Sequence, residues 1–260
     1  MSTTTRFSGS SSRWGRKVVI LGATSGIALE VERQLARRGA ELLLVARSPQ
    51  RLAALEADLL LRGAKQVATY ASDLASIQQH AQVFDFVRQS CPEYDTVLLA
   101  YGSMQDQHDS EMSVDVLLDE LNVNFVSAAA ILTLFAADLE QRGSGCLAVI
   151  TSVAGDRGRR SNYVYGSAKG ALSLFLGGLR SRLHSAGVKV ITIKPGPVQT
   201  PMTDHLANAA RFAEPGLVAR DIVRALGRRS PDVLYTPWFW RYVMTAVRQI
   251  PEPLFKRLRF

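Results

Sequence analysis

The run Lys17-Val18-Val19-Ile20-Leu21-Gly22-Ala23-Thr24-Ser25-Gly26-Ile27-Ala28 opens as an apolar, β-branched segment and breaks at a glycine. Helical spacing follows from about Ile27 to Arg38, so the run reads as strand, tight turn and helix. Gly22 and Gly26 let the backbone approach a ligand closely, and the helix N-terminus offers unpaired N–H groups to an anion such as a pyrophosphate. Thr24, Ser25 and Ile27 complete that loop. An ordinary βα turn has the same composition, so the loop acquires meaning from its surroundings.

The pattern repeats along the chain. Apolar runs at Glu41–Ala46, Gln66–Ala71, Asp95–Ala100, Cys146–Thr151, Val188–Ile193 and Asp232–Thr236 alternate with about six segments of helical period. Their centres are apolar throughout, as in a parallel sheet covered on both faces. The sequence therefore predicts a single-domain α/β fold, a Rossmann-like doubly wound parallel sheet of about seven strands, over residues 14–236. Residues 1–13 read as a disordered Ser/Thr-rich leader, and 237–260 as a basic, aromatic, amphipathic extension. Ligands of such sheets bind beyond the carboxyl ends of the strands, so residues that follow strands carry the chemistry.

Composition narrows the function. The net charge of +8 resides in the two ends, Arg6 to Lys17 and Arg241 to Arg259, and the body between them is neutral. That disfavours a groove-reading nucleic-acid binder and leaves anionic lipid as a partner for the ends. Cys91 and Cys146 supply neither a disulfide framework nor a zinc spacing, and the four scattered histidines suggest no metal site. The leader has no apolar core, and the longest apolar run, Phe125–Ala137, is too short to span a bilayer. A reducing, cytoplasmic setting is expected, with peripheral contact at the membrane if the C-terminal extension binds lipid.

Two strand ends stand out. The second strand ends at Arg47, where a guanidinium suits a 2′-phosphate better than ribose hydroxyls and so favours NADP(H) over NAD(H). A solvated strand-end arginine is the other reading. The fifth strand delivers Ser152, and thirteen residues later stands Tyr165, four before Lys169. On a helix Tyr165 and Lys169 share one face. A free tyrosine has a pKa of about 10, and a neighbouring ammonium would lower it and make Tyr165 a general acid/base. Ser152 would hold a carbonyl or hydroxyl oxygen toward that phenol. Tyr163 competes for the role, but the residue four beyond it is Ser167.

These segments together resemble the short-chain dehydrogenase/reductase family. Its glycine motif, T-G-x-x-x-G-x-G, aligns with Leu21 to Ala28, with Leu21 in place of the threonine and Ala28 in place of the third glycine. The resemblance covers about Lys17 to Asp204 and implies further roles. Asp73 and Leu74 would lie beside an adenine ring, Ala100 and Gly102 along the cofactor, and Pro195, Val198 and Thr200 beside the nicotinamide. Asn124 would join Ser152, Tyr165 and Lys169 as a fourth catalytic residue, relaying protons through water and Lys169. A homodimer or homotetramer would form through two long helices, about Glu111–Glu140 and Tyr163–Ser185.

The substrate side offers two features. Arg157, Arg159 and Arg160 stand between Ser152 and Tyr165, either as a phosphate-recognising cluster at the substrate mouth or as a solvated basic loop partly paired by Asp156. The tail from Pro237 to Phe260 mixes aromatic and basic residues, which suits a bilayer interface, a partner subunit or a cover over the site. With Asp156 to Ser167 it resembles the family branch of decaprenyl-phosphoryl-2-keto-pentofuranose reductases, which implies a lipid-linked, phosphate-bearing ketose. The alternatives are a reductase of steroids, acyl groups or small secondary alcohols, and a nucleotide-sensing binding protein without turnover. Ser152, Tyr165 and Lys169 speak against the last, because a sensor needs no proton donor.

Overall fold

The computed structural model describes residues 16–204, 212–227 and 231–258. The leader expected over 1–13 lies outside them, as do the basic residues Arg6, Arg13 and Arg259. Seven parallel strands form one sheet in the order β3-β2-β1-β4-β5-β6-β7. They are β1 (Lys17–Leu21), β2 (Glu41–Ala46), β3 (Gln66–Ala71), β4 (Thr96–Leu99), β5 (Gly145–Ile150), β6 (Val188–Pro195) and β7 (Val233–Thr236). β1 lies between β2 and β4, with Val18 opposite both Leu42 and Thr96. The strand order reverses at β1, which opens a crevice above the carboxyl ends of β1 and β4.

Side chains alternate across each strand, so successive apolar residues enter two different cores. Ile20, Leu42, Leu44 and Leu98 pack on one face with Val31 and Leu35 of α1 (Gly26–Ala36), Leu52 of α2 (Pro49–Leu61) and Ile222 of α8 (Pro215–Ala225). Val19, Leu21, Leu43 and Leu99 pack on the other with α3 (His80–Ser90), α6 (Ser127–Arg142) and α7 (Tyr163–Leu183). This two-sided burial is why the strands read as unbroken apolar runs.

The first long helix expected, about Glu111–Glu140, is instead broken into α4 (Gln107–Met112), α5 (Val114–Leu121), a wide π turn at Asn122–Val126, and α6. Ser113 ends α4 and caps α5, its hydroxyl accepting from Val116 N at 3.4 Å. By length and composition the helical stretch Val114–Arg142 could cross a membrane, a longer span than the apolar run alone suggested. Its inner side holds Ile131, Leu132, Phe135 and Leu139 in the core.

After β7 the chain forms α9 (Trp240–Gln249) and α10 (Glu252–Phe255). Met244 is buried and Trp240 and Val247 half-buried, whereas Trp238, Phe239, Tyr242 and Val243 are exposed. Arg157 fastens this tail. Its guanidinium donates to the carbonyls of Val247 and Ile250, each at 2.6 Å, pairs with Glu252 at 2.9 Å and lies 3.6 Å from the centre of the Phe255 ring.

Candidate active site

A cavity of about 760 Å³ lies over the carboxyl edge of the sheet. At its floor the β1–α1 loop passes close under β4. Gly22 has φ +91, and a β-carbon there would stand 2.6 Å from both N and Cβ of Tyr101, so backbone conformation and space both require glycine. Ser25 caps α1, its hydroxyl accepting from Ala28 N at 3.3 Å. Ala28 itself is fully buried, its methyl accommodated in the core. Gly22, Thr24, Ser25, Gly26 and Ile27 all line the cavity. The cradle they form, with the α1 N-terminus above it, fits a pyrophosphate.

Arg47 lines the same end and is exposed. Beside it stands Arg51, which the sequence reading passed over. Arg51 lies in the first turn of α2, four residues after Arg47, and donates to the carbonyl of Thr24 at 3.1 Å. Two guanidiniums thus line the same cavity beside the β1–α1 loop. The i, i+4 spacing across the Ser48 cap was the available signal. Along the wall follow Asp73, Leu74, Ala100 and Gly102. Asp73 also orders its own loop, accepting from Ala75 N at 3.2 Å, and Leu74 is buried. Pro195, Val198 and Thr200 line the cavity too, and Thr200 packs on the β1–α1 loop, where a β-carbon at Gly26 would stand 2.8 Å from Thr200 Cγ2.

Ser152, Tyr165, Lys169 and Asn124 also line the cavity, with Asn124 and Lys169 beside Gly102. Ser152 leaves β5 in extended backbone, its oxygen accepting from Ala154 N at 3.0 Å, and its hydroxyl lies near enough to Tyr165 to bear on the ionisation of the phenol. The segment after it, Val153–Asp156, is held down by Asp156, which pairs with Lys194 of β6 and accepts from the Tyr235 hydroxyl of β7 at 2.7 Å. Asp156 therefore anchors the loop, while its charge also acts on Arg159, opposing the lowering that burial imposes on that guanidinium. Tyr163 lies outside the cavity, 42% exposed.

The electrostatics depart from the expectation of a lowered tyrosine. Burial pushes the Tyr165 phenol up to about 12, the Ser152 hydrogen bond opposing and the negative charge of Glu120 adding to the rise. Lys169 Nζ lies 5.7 Å from the centre of the tyrosine ring. Burial lowers the lysine itself to about 8, with Glu120 opposing. Below that pH both groups carry their protons.

Asn124 is buried in the π turn, and Glu120, one turn earlier, was not recognised in the sequence. Of the three candidate substrate arginines only Arg159 reaches the cavity. Its Nε is buried with no hydrogen-bond partner, as is Oδ1 of the neighbouring Asn162. Arg160 is exposed and lines a second, smaller cavity with Phe255 and Lys256. Arg157 is not at the mouth, because its donors are taken by the tail.

The sequence profile described as short chain dehydrogenase matches residues 16–211. An uncharacterized oxidoreductase of Streptomyces coelicolor is 36% identical over 94% of this chain and 96% of its own length. Two solved structures share the fold. A short-chain dehydrogenase from Sphingobium yanoikuyae in complex with NADPH superimposes with a TM-score of 0.79 at 23% identity, over 94% of this chain and 96% of that one. Actinorhodin polyketide ketoreductase with NADPH gives 0.77 at 21% identity, over 87% and 97%.

Proposed function

The chain belongs to the short-chain dehydrogenase family, and from that premise we propose that it is an NADPH-dependent reductase of a ketone, with Tyr165 as the proton donor. The observation that carries the reading is the convergence of Ser152, Tyr165 and Lys169 on one cavity that Arg47 and Arg51 also line, with Lys169 Nζ 5.7 Å from the centre of the Tyr165 ring. The loop at Gly22 to Ile27 would hold the pyrophosphate, and Arg47 with Arg51 the 2′-phosphate. When bound, the nicotinamide supplies a hydride to the carbonyl carbon. Ser152 donates a hydrogen bond to the carbonyl oxygen and holds it toward Tyr165. As the carbonyl π pair moves onto that oxygen, Tyr165 delivers its proton there, and the product is a secondary alcohol. Lys169 then stabilises the phenolate left behind, and Asn124 leads protons back toward it.

The substrate reading rests on Arg159. A buried guanidinium nitrogen without an acceptor is costly, and an anionic group on the ketone would satisfy it. A 2-keto sugar on a prenyl phosphate carrier combines ketone, phosphate and lipid. The exposed Trp238, Phe239, Tyr242 and Val243, flanked by Arg241 and Arg248, suit contact with an anionic membrane that would carry it.

The deciding experiment monitors NADPH oxidation by wild type, Tyr165→Phe and Arg159→Ala with a prenyl-phosphoryl 2-keto sugar and with neutral soluble ketones. Loss of turnover in Tyr165→Phe is expected with every substrate, and loss in Arg159→Ala only with the phosphorylated one. Full activity of Tyr165→Phe would overturn the catalytic assignment. Turnover of neutral ketones alone would overturn the substrate.

A further inference from the structure

We propose that Glu120 is a positioning residue of the proton-transfer machinery, turning the amide of Asn124 so that its oxygen faces Lys169 and setting a negative charge against that lysine. The inference rests on the reductase reading above, but it is read out on Lys169 itself. Glu120 is 1% exposed at the end of α5. Three donors converge on its carboxylate. Ser103 Oγ at 2.9 Å and Gln105 N at 3.2 Å reach Oε2, and Asn124 Nδ2 reaches Oε1 at 3.0 Å.

A carboxylate only accepts, so Asn124 must present its nitrogen to Glu120 and its oxygen to the other side. The carbonyls of Ser103 at 3.0 Å and Glu120 at 3.1 Å and the Ser103 hydroxyl at 3.2 Å share the same nitrogen's two hydrogens with the carboxylate, so a turned amide would set its oxygen against acceptors. The freed oxygen accepts from Ser103 N at 3.2 Å. It also flanks Gly102 together with the lysine. A β-carbon at Gly102 would meet Asn124 Oδ1 at 2.7 Å and Lys169 Nζ at 3.1 Å. Only a glycine leaves room for both groups there. The π turn, in which Ser127 N–H donates to Asn122 O five residues back, widens the helix where Asn124 turns inward.

Lys169 is 3% exposed, and a buried ammonium needs a counter-charge. Among the described residues, the charge that bears on it is Glu120 of α5. Tyr165 faces it from its own helix α7. From the β4 end and the π turn it meets the neutral Gly102 and Asn124, and from the Val153–Asp156 segment Gly155, which packs on the α7 backbone at Lys169 and Gly170. Arg47, Arg51, Asp73, Asp119 and Arg159 stand elsewhere around the cavity.

The test titrates Lys169 by NMR in full-length protein carrying 13Cε-labelled lysine, the signal being identified by its loss in Lys169→Met. Wild type should titrate near about 8. Glu120→Gln removes the charge and places an amide nitrogen among donors, and the midpoint should fall by about one unit. Glu120→Asp keeps the charge at a greater distance and should fall between the two. Should Glu120→Gln fail to fold by circular dichroism, Glu120→Asp decides by the same criterion. A midpoint unmoved in the folded variants would overturn the proposal. Failure of wild type to reduce any ketone would sink the reductase reading and leave this titration standing, so the two failures are distinguishable.

Discussion

Arg47→Ala and Arg51→Ala should separate two jobs that adjacent guanidiniums share. Arg47 is exposed and its contribution is free to go to a 2′-phosphate, whereas Arg51 also holds the Thr24 carbonyl at 3.1 Å and so braces the pyrophosphate loop. A hydrogen bond to a charged group contributes about 1.5–3 kcal/mol, and solvent screening at this exposed position reduces it to about 1–2 kcal/mol. Arg47→Ala should therefore weaken NADPH binding by about five- to thirtyfold and leave NADH unchanged. Arg51→Ala should weaken both cofactors, NADPH the more. Fluorescence titration of wild type and both variants with each cofactor at low and high salt measures this, and the NADPH preference should shrink as salt rises. Equal affinity of wild type for the two cofactors, or an equal loss of both in Arg47→Ala, would refute the reasoning.

Gly22→Ala combines backbone strain at φ +91 with a clash at 2.6 Å against the backbone of Tyr101. It should destabilise by about 2–5 kcal/mol and lower Tm by about 4–10 °C in calorimetry, and an unchanged Tm would show that the loop can move aside. Arg157→Ala removes two carbonyl bonds, an ion pair and the stacking on Phe255. Hydrogen exchange should accelerate across residues 240–258 and stay unchanged in the sheet; uniform acceleration would mean that the tail is integral to global stability. The rate of ketone reduction should be full below the Lys169 pKa of about 8 and decline as pH rises through it, because the protonated lysine is the active form. A reduction rate flat from pH 7 to 10 would remove Lys169 from the ionisations that matter.

The sheet was legible because burial on both faces leaves only one kind of residue at strand centres, and each expected strand lies within a residue or two of the observed one, apart from the longer end of β6. The loop glycines and the Ser152, Tyr165 and Lys169 spacing were legible because each lies within one strand end or one helical turn. Glu120 was not. On α5 Leu118 is 54% exposed and Glu120 is 1% exposed, the reverse of what hydrophobicity predicts for a helix on a core. The inversion arises from Ser103 and Gln105, which come from the loop after β4 and have no sequence relation to α5. The three arginines failed in a similar way. Arg157, Arg159 and Arg160 are alike in sequence, but one binds the tail, one lines the cavity and one faces solvent.

The two ends of the cavity use charge differently, and the difference follows from burial. Arg47 and Arg51 are exposed, so their charges cost little to maintain and each would act on a bound phosphate independently of the other. At the catalytic end Glu120 and Lys169 are buried, so each charge depends on the groups around it and neither can be altered alone. Tyr165, pushed up to about 12, holds its proton until an acceptor arrives, while Lys169 near about 8 holds its own through the neutral range. A tyrosine with its proton in place could give it to a carbonyl oxygen, the step that the proposed ketone reduction needs. The buried carboxylate thus bears on both groups at once, raising the tyrosine while it sustains the charge of the lysine that would steady a phenolate, so a change at Glu120 should be felt at Tyr165 and Lys169 together.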